Sequence, residues 1–484
     1  MLFRHTMLYL PAQLLPALCQ FAQLIVWSHL ATPEVIGVVT LFISIQEFLG
    51  IAFIAFWNQY TQRFSMKLSE TEADRLRLRY TSTAIIAASL CLQVLIALTI
   101  YAVAIDPHMS LAEALVLAGS TCGRALNLYE GERARARHDV LGYSFVSMCG
   151  PLLGLGIGLG LLAHFGSSAF VIFLGFAIAQ LAGVALGLMR DASWVGLGKP
   201  DLNLIRHAAA YGSPLIVSGV LSWVTQNASR IAVSYFLGLG AAGVYSLGFG
   251  LGYRAAVVST MIVTAAAFPL VVRLANAGDM DAARRQIAAN GALLFAILAA
   301  SLVGLAVISY DVLHLLVSRQ MSGPVGPIML WSLLAGGFIC FRQHFLNQFF
   351  LLDGQTHPIA TVAVIEAVIA VVLVVIIVPL VGPVGGAIAL AGTSATSMLA
   401  TFVLARGVGL IMPWSAMARV SLAAAAMALA VLAVRVDHDI WGLALRIAVG
   451  GATYVIALGL CYAREINKWR QSWRLRTGGS ASQT

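Results

Sequence analysis

The chain has 484 residues, of which 60% are hydrophobic and only 10% are charged, and its formal net charge is +9. Soluble domains carry about 25% charged residues, so this composition excludes an ordinary water-soluble enzyme. The high apolar content also excludes a disordered chain, and six widely separated Cys residues do not form the framework of a disulfide-rich domain.

Apolar runs follow one another along nearly the whole sequence. Each is about 20 residues long, which is enough for a helix to cross a hydrocarbon core of about 30 Å. Cutting the runs where charges or turn residues interrupt them predicts an all-α polytopic membrane protein with about 14 transmembrane helices. These predicted spans, numbered 1 to 14 in chain order, cover residues 8–30, 34–58, 80–105, 111–131, 140–164, 168–189, 207–236, 241–270, 288–311, 326–350, 358–380, 384–405, 416–434 and 440–463. No small-residue cleavage site follows span 1, so we interpret it as a retained helix and not as a signal peptide.

The basic residues are distributed unequally between the two sides of the predicted bundle. With the N-terminus in the cytoplasm, the cytoplasmic segments contain 22 of the 29 Lys and Arg residues, and only Arg319 and Arg435 lie in external segments. This asymmetry follows the positive-inside rule and predicts that both termini are cytoplasmic. Anionic lipid of the inner leaflet accounts for the positive charge, so no nucleic-acid partner is predicted. The basic segments 63–79 and 132–138 could contact lipid headgroups, although topology alone explains their charge.

The predicted external connections are mostly about four to ten residues long and leave no room for a folded extramembrane domain. The segment Asp437-His438-Asp439 is the only external acidic cluster that a membrane glycosyltransferase or polymerase could use, and we interpret it as a charged turn. The segment 196–200 lacks the Ser or Thr of a phosphate-binding loop, and no Cys pair has the spacing of a metal site. The sequence therefore predicts a protein that is not an enzyme and has no cofactor or metal.

An internal repeat relates spans 1 and 2 to spans 7 and 8 at an offset of 206 residues. The segment 37–41 (GVVTL) aligns with 243–247 (GVYSL), and the two copies are offset by six spans. Both copies therefore enter the membrane in the same direction, an arrangement that places a substrate site between two lobes. The predicted division is an N-terminal six-helix lobe (1–190), a cytoplasmic linker (191–206), a C-terminal six-helix lobe (207–406), two additional helices (407–464) and a basic cytoplasmic tail (465–484).

Proline and glycine residues in the repeated spans predict helices that bend. Pro11 and Pro16 lie in span 1 and Pro214 lies in span 7, and a proline removes a hydrogen bond from the helix. Span 8 contains Gly248, Gly250 and Gly252. Bending at matching places suits alternating access, but membrane helices also tolerate both residue types without a functional reason.

Three arginines lie deep inside the predicted spans. Arg124, Arg254 and Arg342 are each about 20 Å from the external end of their helix, past the middle of the hydrocarbon core. An arginine at a helix centre costs roughly 2.5–3.5 kcal/mol on insertion scales. We therefore expect these residues to line a wet cavity or to pair with acids. Under the repeat, the helices of Arg124 and Arg342 are equivalent, so these two residues are predicted to face each other.

Only two acids, Glu47 and Glu366, lie well inside the spans. The resulting cationic surplus favours an anionic substrate, because guanidinium groups bind phosphate and diphosphate oxygens well. The alternative is that Glu47–Arg254 and Glu366–Arg342 are structural ion pairs that join helices.

Nearer the outside, Arg230 lies among the polar residues Gln226, Asn227 and Ser229, so both a cavity-facing and an interface-facing position stay open. Arg446 is expected to reach the interface. The candidate substrate-binding residues are therefore Arg124, Arg254, Arg342, Arg230 and Asn227. Glu47 and Glu366 are the candidates for ion coupling.

Three segments carry a resemblance to a known family: 30–37 (LATPEVIG) after span 1, 236–246 (FLGLGAAGVYS) after span 7, and 378–387 (VPLVGPVGGA) between spans 11 and 12. They resemble segments of the O-antigen and exopolysaccharide lipid flippases (Wzx type) of the multidrug/oligosaccharidyl-lipid/polysaccharide (MOP) exporter superfamily. The resemblance covers most of residues 1–406, the first twelve spans.

The resemblance implies two six-helix lobes around a central cavity that opens alternately to either side of a bacterial inner membrane. It implies a substrate of polyprenyl diphosphate that carries an oligosaccharide repeat unit, with a polysaccharide polymerase and chain-length machinery as possible partners. Arg124 and Arg254 best match the cavity arginines that bind the diphosphate in related flippases. Spans 13 and 14 are similar to the extra pair of the fourteen-helix peptidoglycan-precursor flippases, but span 1 lacks their charged pair.

Two other classes stay open at this stage. A small-molecule or multidrug antiporter of the same fold would use acids in the N-terminal lobe, where Glu47 is the only deep one. A membrane glycosyltransferase or polymerase would need external acids, so mutation of Asp437 and Asp439 would distinguish it from a transporter.

Overall fold

The computed structural model describes the backbone of residues 2–64, 68, 71–463 and 465, and the side chains of these residues except 2–14, 17 and 262–269. This described part consists of helices and connecting turns, without a β-strand. Its helices are α1 (Leu2–Leu30), α2 (Pro33–Phe53), α3 (Ala55–Phe64), α4 (Glu72–Ala104), α5 (Leu111–Ala136), α6 (Val140–Phe165), α7 (Ala169–Arg190), α8 (Leu202–Asn276), α9 (Met280–Val307), α10 (Ser309–Leu316), α11 (Arg319–Phe341), α12 (Asn347–Leu352), α13 (His357–Val381), α14 (Pro383–Ala405), α15 (Trp414–Ala433) and α16 (Ile440–Cys461). A π-helical turn (Arg342–Leu346) connects α11 to α12, and a 3₁₀ turn (Arg406–Val408) follows α14.

The predicted all-α polytopic membrane fold is confirmed. In the described part of the chain, 11 helical segments are long and apolar enough to cross a membrane. One of them belongs to α8, which contains predicted spans 7 and 8 in a single element. Helix α5 is not among them, because charged side chains such as Arg124 and Glu130 interrupt its apolar residues, but it coincides with predicted span 4. Apart from Glu465, the predicted basic tail lies outside the described residues.

Side chains cap the helices that follow several of the short connections. Thr32, Asp139 and Ser168 each accept a hydrogen bond from a backbone N–H in the first turn of α2, α6 and α7. Ser110 and Glu113 form a reciprocal capping box at the start of α5. Such caps satisfy backbone donors that have no partner within the helix, so they fix where each helix begins.

Helix α8 is a hairpin of two antiparallel halves. At Gly238 the backbone has a φ of 86° and a ψ of 173°, a conformation that glycine adopts readily and other residues do not. The two halves, residues 202–237 and 239–276, run side by side, and Arg230 Nε in the first donates to Ser246 Oγ in the second at 2.9 Å. One glycine therefore joins predicted spans 7 and 8 and places polar side chains of both on a common face.

The two copies of the sequence repeat meet each other at equivalent residues. A Cβ atom on Gly37 of α2 would lie 1.9 Å from the backbone oxygen of Leu239, and a Cβ atom on Gly243 of α8 would lie 1.8 Å from that of Pro33. Pro33 and Leu239 are related by the same 206-residue offset as Gly37 and Gly243, so each copy makes the same contact with the other. The junction therefore has local pseudo-two-fold symmetry, and glycine at its centre allows the helices to approach closely.

A further equivalent pair lies one turn along these helices. Thr40 Oγ1 donates to Ser246 Oγ at 2.9 Å, again across 206 residues. Helix α2 also contacts the first half of α8, where Trp223 Nε1 donates to Ser44 O at 3.0 Å. Among the described residues, α2 and α8 thus form the most extensive contact between the two predicted lobes. The boundaries of the lobes themselves stay a prediction.

Helices α15 and α16 pack against α9 as an additional pair. Tyr454 OH of α16 donates to Ala296 O of α9 at 2.7 Å. Met427 of α15 and Tyr454 are buried in the same apolar contact. The pair is therefore fixed to the rest of the bundle through its apolar residues.

The charged turn between α15 and α16 adds a polar attachment. His438 and Arg446 both pair with the carboxylate of Asp311, whose side chain is 1% exposed. Arg446, which the sequence placed at the interface, is anchored to Asp311 in the first turn of α10. Asp439 accepts a hydrogen bond from the Gly442 N–H at 2.6 Å and caps α16. This agrees with the interpretation of the acidic cluster as a turn.

Candidate functional site: a cationic central cavity

A cavity of about 510 Å³ lies between the N-terminal helices and the hairpin of α8. Its wall comes from α1, α2, α5, α6, α7 and both halves of α8. We call it the central cavity. Of the residues that the sequence predicts for substrate binding or ion coupling, the structure brings together Arg124, Arg254, Arg230, Asn227 and Glu47 in its lining. Arg342 and Glu366 are not among the lining residues.

Arg230 is held at the cavity wall by neutral groups in the described part of the chain. Its Nε donates to Ser246 Oγ at 2.9 Å, and its Nη1 donates to Asn227 Oδ1 at 3.0 Å and also to Ser44 Oγ. The ring of Phe249 lies 5.6 Å from the guanidinium carbon, within the range of a cation–π contact. These groups orient the guanidinium without cancelling its charge. Arg230 therefore contributes a fixed positive charge to the cavity.

Arg124 pairs with Glu47 across the contact between α5 and α2. Arg124 Nη2 lies 2.9 Å from Glu47 Oε1, and the two side chains are 33% and 42% exposed, so the pair is open to the cavity. The neighbouring Gln46 donates to two hydroxyl groups of α5, both at 3.1 Å, which fixes α2 against α5. Of the two ion pairs considered from the sequence, Glu47–Arg254 is therefore replaced by Glu47–Arg124.

Arg254 lies on the second half of α8 and lines the same cavity. Eight residues separate it from Ser246, the hydrogen-bond partner of Arg230, which corresponds to about 12 Å along the helix. Among the residues that the structure describes, the Arg254 guanidinium has no carboxylate in salt-bridge range and no hydrogen-bond partner. Its five N–H donors are therefore available to a ligand.

The charged residues of the central cavity leave a positive surplus. Among the lining residues that the structure describes, three arginines (Arg124, Arg230 and Arg254) stand against two glutamates (Glu47 and Glu132). Glu132 also lies 3.9 Å from Arg135, which is outside the lining. Arg135 therefore neutralises part of the negative charge of Glu132. A surplus of arginines in a cavity of low dielectric attracts anions. The arrangement can therefore bind the oxygens of a phosphate or diphosphate through several guanidinium groups.

Sequence reasoning missed several neutral polar residues of the central cavity. They are Gln20, Gln23, Asn127, Ser147, Gln180 and Tyr253. A signal was available, because Gln20 and Gln23 are three residues apart, as are Arg124 and Asn127, so each pair shares one helix face. Amide groups both donate and accept hydrogen bonds, which suits a hydroxyl-rich ligand. The wall thus combines cationic and amide groups.

Contacts between the predicted lobes flank the central cavity on both sides. On the predicted external side, α2 and α8 meet at the glycine junction described above. On the opposite side, a Cβ atom on Gly212 of α8 would lie 2.4 Å from Phe56 Cβ of α3. Near this contact, the rings of Tyr60 and Phe64 lie 6.0 Å and 5.4 Å from the ring of Tyr211. A change of access to the cavity would have to break one of these two contacts.

Arg342 lies apart from the central cavity, in a buried ion pair with Glu366. Its Nη2 is 2.6 Å from Glu366 Oε2, and both side chains are 6% exposed. Ser397 Oγ of α14 donates to the other carboxylate oxygen at 3.0 Å. Arg342 also begins the π-helical turn, an irregularity that often occurs at functional sites. This geometry is that of the structural ion pair considered from the sequence, and it joins α13 and α14 to the end of α11.

We expect removal of either partner of this pair to destabilise the protein strongly. Glu366→Ala leaves a buried guanidinium without its carboxylate, which costs about 3–5 kcal/mol. Arg419→Ala is the matched control, because Arg419 is 2.7 Å from Glu465 in a pair that is 36% and 50% exposed. An exposed pair contributes little to stability, because water and salt screen its charges. Thermal unfolding of the purified protein in detergent compares the two variants, and equal unfolding temperatures would contradict a structural role for the buried pair.

Part of the sequence matches a known family. Residues 134–275, from the end of α5 into the second half of α8, match the family model described as polysaccharide biosynthesis protein. No curated protein matches the chain in sequence. The family match covers only part of the chain, so it is a similarity of this segment.

Several solved structures have the same fold. The lipid II flippase MurJ in an inward closed conformation matches with a TM-score of 0.77 at 14% sequence identity, over 95% of this chain and 100% of that chain. An inward-facing multidrug resistance transporter of the MATE family, in the MOP superfamily, gives 0.58 at 14% identity over 81% and 94%. A MOP superfamily transporter from Pyrococcus furiosus gives 0.53 at 13% identity over 84% and 94%. The predicted resemblance to the MOP superfamily is confirmed at the level of the fold.

Proposed function

We propose that this protein flips a polyprenyl-diphosphate-linked oligosaccharide from the inner to the outer leaflet of a bacterial inner membrane. The flipped unit serves the assembly of a surface polysaccharide such as O-antigen, capsule or exopolysaccharide. The observation that carries the proposal is the positive surplus of the central cavity, in which Arg254 has no partner among the described residues. A diphosphate complements this surplus in charge, and its oxygens fit the forked geometry of guanidinium groups. The partial family match and the fold shared with a lipid II flippase support the same substrate class.

The size of the central cavity supports a headgroup as its occupant. Its volume of about 510 Å³ falls within the roughly 300–1,000 Å³ that is usual for ligand sites. The polyprenyl chain stays in the hydrocarbon region, because its apolar surface is already removed from water there. The sugar hydroxyls meet the amides of Gln23, Asn127 and Gln180. The headgroup thus crosses through the protein while the tail follows in lipid.

Transport in this proposal follows alternating access. A diphosphate that enters from the predicted cytoplasmic side meets Arg124 and Arg254 and then Arg230, whose partner Ser246 lies about 12 Å from Arg254 along the second half of α8. Its oxygens compete with Glu47 for Arg124, so substrate binding weakens the ion pair between α2 and α5. Protonation of Glu47 favours the same exchange, which makes it a coupling carboxylate. Glu366, buried against Arg342, is the second candidate for that role.

The orientation and the partners belong to the same proposal. Both termini are cytoplasmic, as the distribution of basic residues predicts. The sugar units enter the outer leaflet, where a polysaccharide polymerase and its chain-length machinery consume them. No nucleic acid takes part.

A multidrug antiporter is the second candidate, because MATE family transporters have the same fold. Such a transporter needs acids that attract cations. The two glutamates in the described lining both lie beside arginines, in the pairs Glu47–Arg124 and Glu132–Arg135. A glycosyltransferase or polymerase has less support, since Asp439 of the external acidic cluster caps a helix. The cavity therefore favours an anionic substrate over the cations of a multidrug antiporter.

Mass spectrometry of polyprenyl-linked lipids tests the proposal. We expect a strain of the native host without this gene to accumulate a polyprenyl-diphosphate glycan, and we expect the wild-type gene to remove it. A strain that carries the empty vector is the control. Unchanged lipid levels after deletion would overturn the proposal and direct attention to export of small cations, measured as drug uptake.

A further inference from the structure

A second cavity, of about 430 Å³, lies on the other side of α5 from the central cavity. Gly131 and Glu132 of α5 line the central cavity, whereas Tyr129 and Arg133 line this one. Its wall comes from α3, α4, the end of α5 and the connection between α7 and α8. We call it the basic pocket. Its lining includes five basic residues and a tryptophan, namely Arg75, Arg79, Arg133, Arg137, His138 and Trp194.

The basic pocket brings together residues from 63–79 and 132–138, the two basic segments of the sequence. Membrane topology alone could explain the positive charge of these segments. Topology accounts for the number of arginines on this side of the membrane, but not for the direction of their side chains. Arg79 of α4 and Arg137 at the end of α5 line the pocket, whereas their neighbours Arg77 and Arg135 do not. Arg77 and Arg135 each pair with a carboxylate elsewhere. The arginines are thus divided between a pocket and a solvated surface.

Among the residues that the structure describes at the basic pocket, guanidinium groups outnumber carboxylates. Arg133 is held by Glu130 at 3.2 Å and by Asp191 at 2.7 Å, so it belongs to the framework. Arg137 contacts the same Asp191 carboxylate, so two guanidinium groups share one carboxylate. Burial, together with the nearby Arg133, lowers the pKa of Arg137 from its usual value, as expected for a cation in cationic surroundings. Arg79 donates to the backbone carbonyl group of Val195 in the connection, which is a neutral partner.

Aromatic and aliphatic side chains form the rest of the wall. The rings of Tyr129 and Trp194 are 5.1 Å apart and meet edge to face. The guanidinium carbon of Arg133 lies 6.0 Å from the Trp194 ring, and Leu78 adds an aliphatic surface. Tryptophan and tyrosine are enriched where membrane proteins meet lipid headgroups. The pocket therefore suits a ligand in which an anionic group is attached to an apolar one.

We propose that the basic pocket binds the phosphate group of an anionic membrane lipid. Arg79 and Arg137 donate to the phosphate oxygens, and the first carbon atoms of the lipid lie against Leu78 and Trp194. Free phosphate has the same chemistry, so the experiment must separate the two sources. The proposal does not depend on what the central cavity transports, and either one can fail while the other holds.

Lipid binding by the full-length protein in neutral detergent tests the proposal. Native mass spectrometry measures the affinity for phosphatidylglycerol, for diacylglycerol, which lacks the phosphate, and for inorganic phosphate. The double variant Arg79→Gln/Arg137→Gln removes two charges from the pocket. The double variant Arg77→Gln/Arg135→Gln removes two charges from the same two segments outside it. Each arginine near a lipid surface contributes about fivefold to anionic lipid binding, so we expect the pocket variant to bind phosphatidylglycerol about 30-fold more weakly.

The control variant is expected to stay within about threefold of wild type, since screened surface charges act weakly. Equal losses in both double variants would overturn the proposal and indicate diffuse attraction to the membrane. Binding of diacylglycerol as tightly as phosphatidylglycerol would also overturn it. Tighter binding of phosphatidylglycerol than of inorganic phosphate would show that the site binds a lipid. Equal affinities for the two would show that free phosphate is enough, which contradicts the proposal. If loss of Arg137 unfolds the protein, the single variant Arg79→Gln, with Arg77→Gln as its control, gives the same test.

Discussion

Charge reversal at Arg254 is expected to abolish transport. The variant Arg254→Glu leaves two arginines against three glutamates in the lining of the central cavity, so the sign of its charge changes. At a separation of 4 Å and an effective dielectric constant of about 20, one pair of charges contributes about 4 kcal/mol. Loss of one such attraction to a phosphate weakens binding by about a thousandfold, and the new repulsion adds to it. Arg254 has no structural partner among the described residues, so the fold is expected to survive the change.

The measurement is complementation of the deletion strain, with the polyprenyl-linked lipid quantified by mass spectrometry. Arg254→Lys is expected to restore transport in part, because it keeps the charge but loses the planar fork that binds two phosphate oxygens. Arg435→Glu is the matched control, since it makes the same charge reversal at an exposed position between α15 and α16. Full complementation by Arg254→Glu at the wild-type protein level would rule out the cavity as the diphosphate site.

The depth of a residue could be predicted from the sequence, but the direction of its side chain could not. Counting residues from the helix ends placed Arg124, Arg254 and Arg342 at similar depths. The structure places the first two in the central cavity and buries the third against Glu366. Consecutive residues of a helix differ by 100° in direction, and the helices here are apolar on nearly every face. Only the packing of α11 against α14, which in turn packs against the α13 helix of Glu366, shows that Arg342 points away from the cavity.

The partners of the charged residues in the membrane could be predicted only in part. The sequence suggested Glu47 and Arg254 as partners because they lie at one level in equivalent helices. The structure instead pairs Glu47 with Arg124 of α5, because the direction of each side chain, and not its depth alone, selects the partner. Equivalent residues of the two repeat copies, such as Gly37 and Gly243, were easier to relate, because the 206-residue offset is visible in the sequence. What the sequence did not reveal is that these two glycines touch.

Alanine at the glycine junction is expected to separate α2 from α8. A Cβ atom on Gly243 would lie 1.8 Å from the backbone oxygen of Pro33, and backbone atoms cannot turn aside as a side chain can. Overpacking of this kind typically costs 1–3 kcal/mol, and we expect Gly243→Ala to lie at about 3 kcal/mol. Gly156→Ala is the control, because no atom lies within 4 Å of its Cβ position. Replacement of an exposed helical glycine by alanine stabilises the helix by up to about 1 kcal/mol.

The pseudo-two-fold geometry makes a sharper prediction for the pair of glycines. Gly37→Ala meets the backbone oxygen of Leu239 at 1.9 Å, the equivalent contact from the other copy of the repeat. Moving α2 and α8 apart relieves both collisions with one displacement, so the second alanine adds little once the first is present. The double variant is therefore expected to lose clearly less stability than the two single losses combined, with a coupling of about 1–3 kcal/mol. The free energies of unfolding of the wild type, the two single variants and the double variant, measured in detergent, complete this double-mutant cycle. Strictly additive losses would show that each collision is relieved locally and that the junction does not move as one unit.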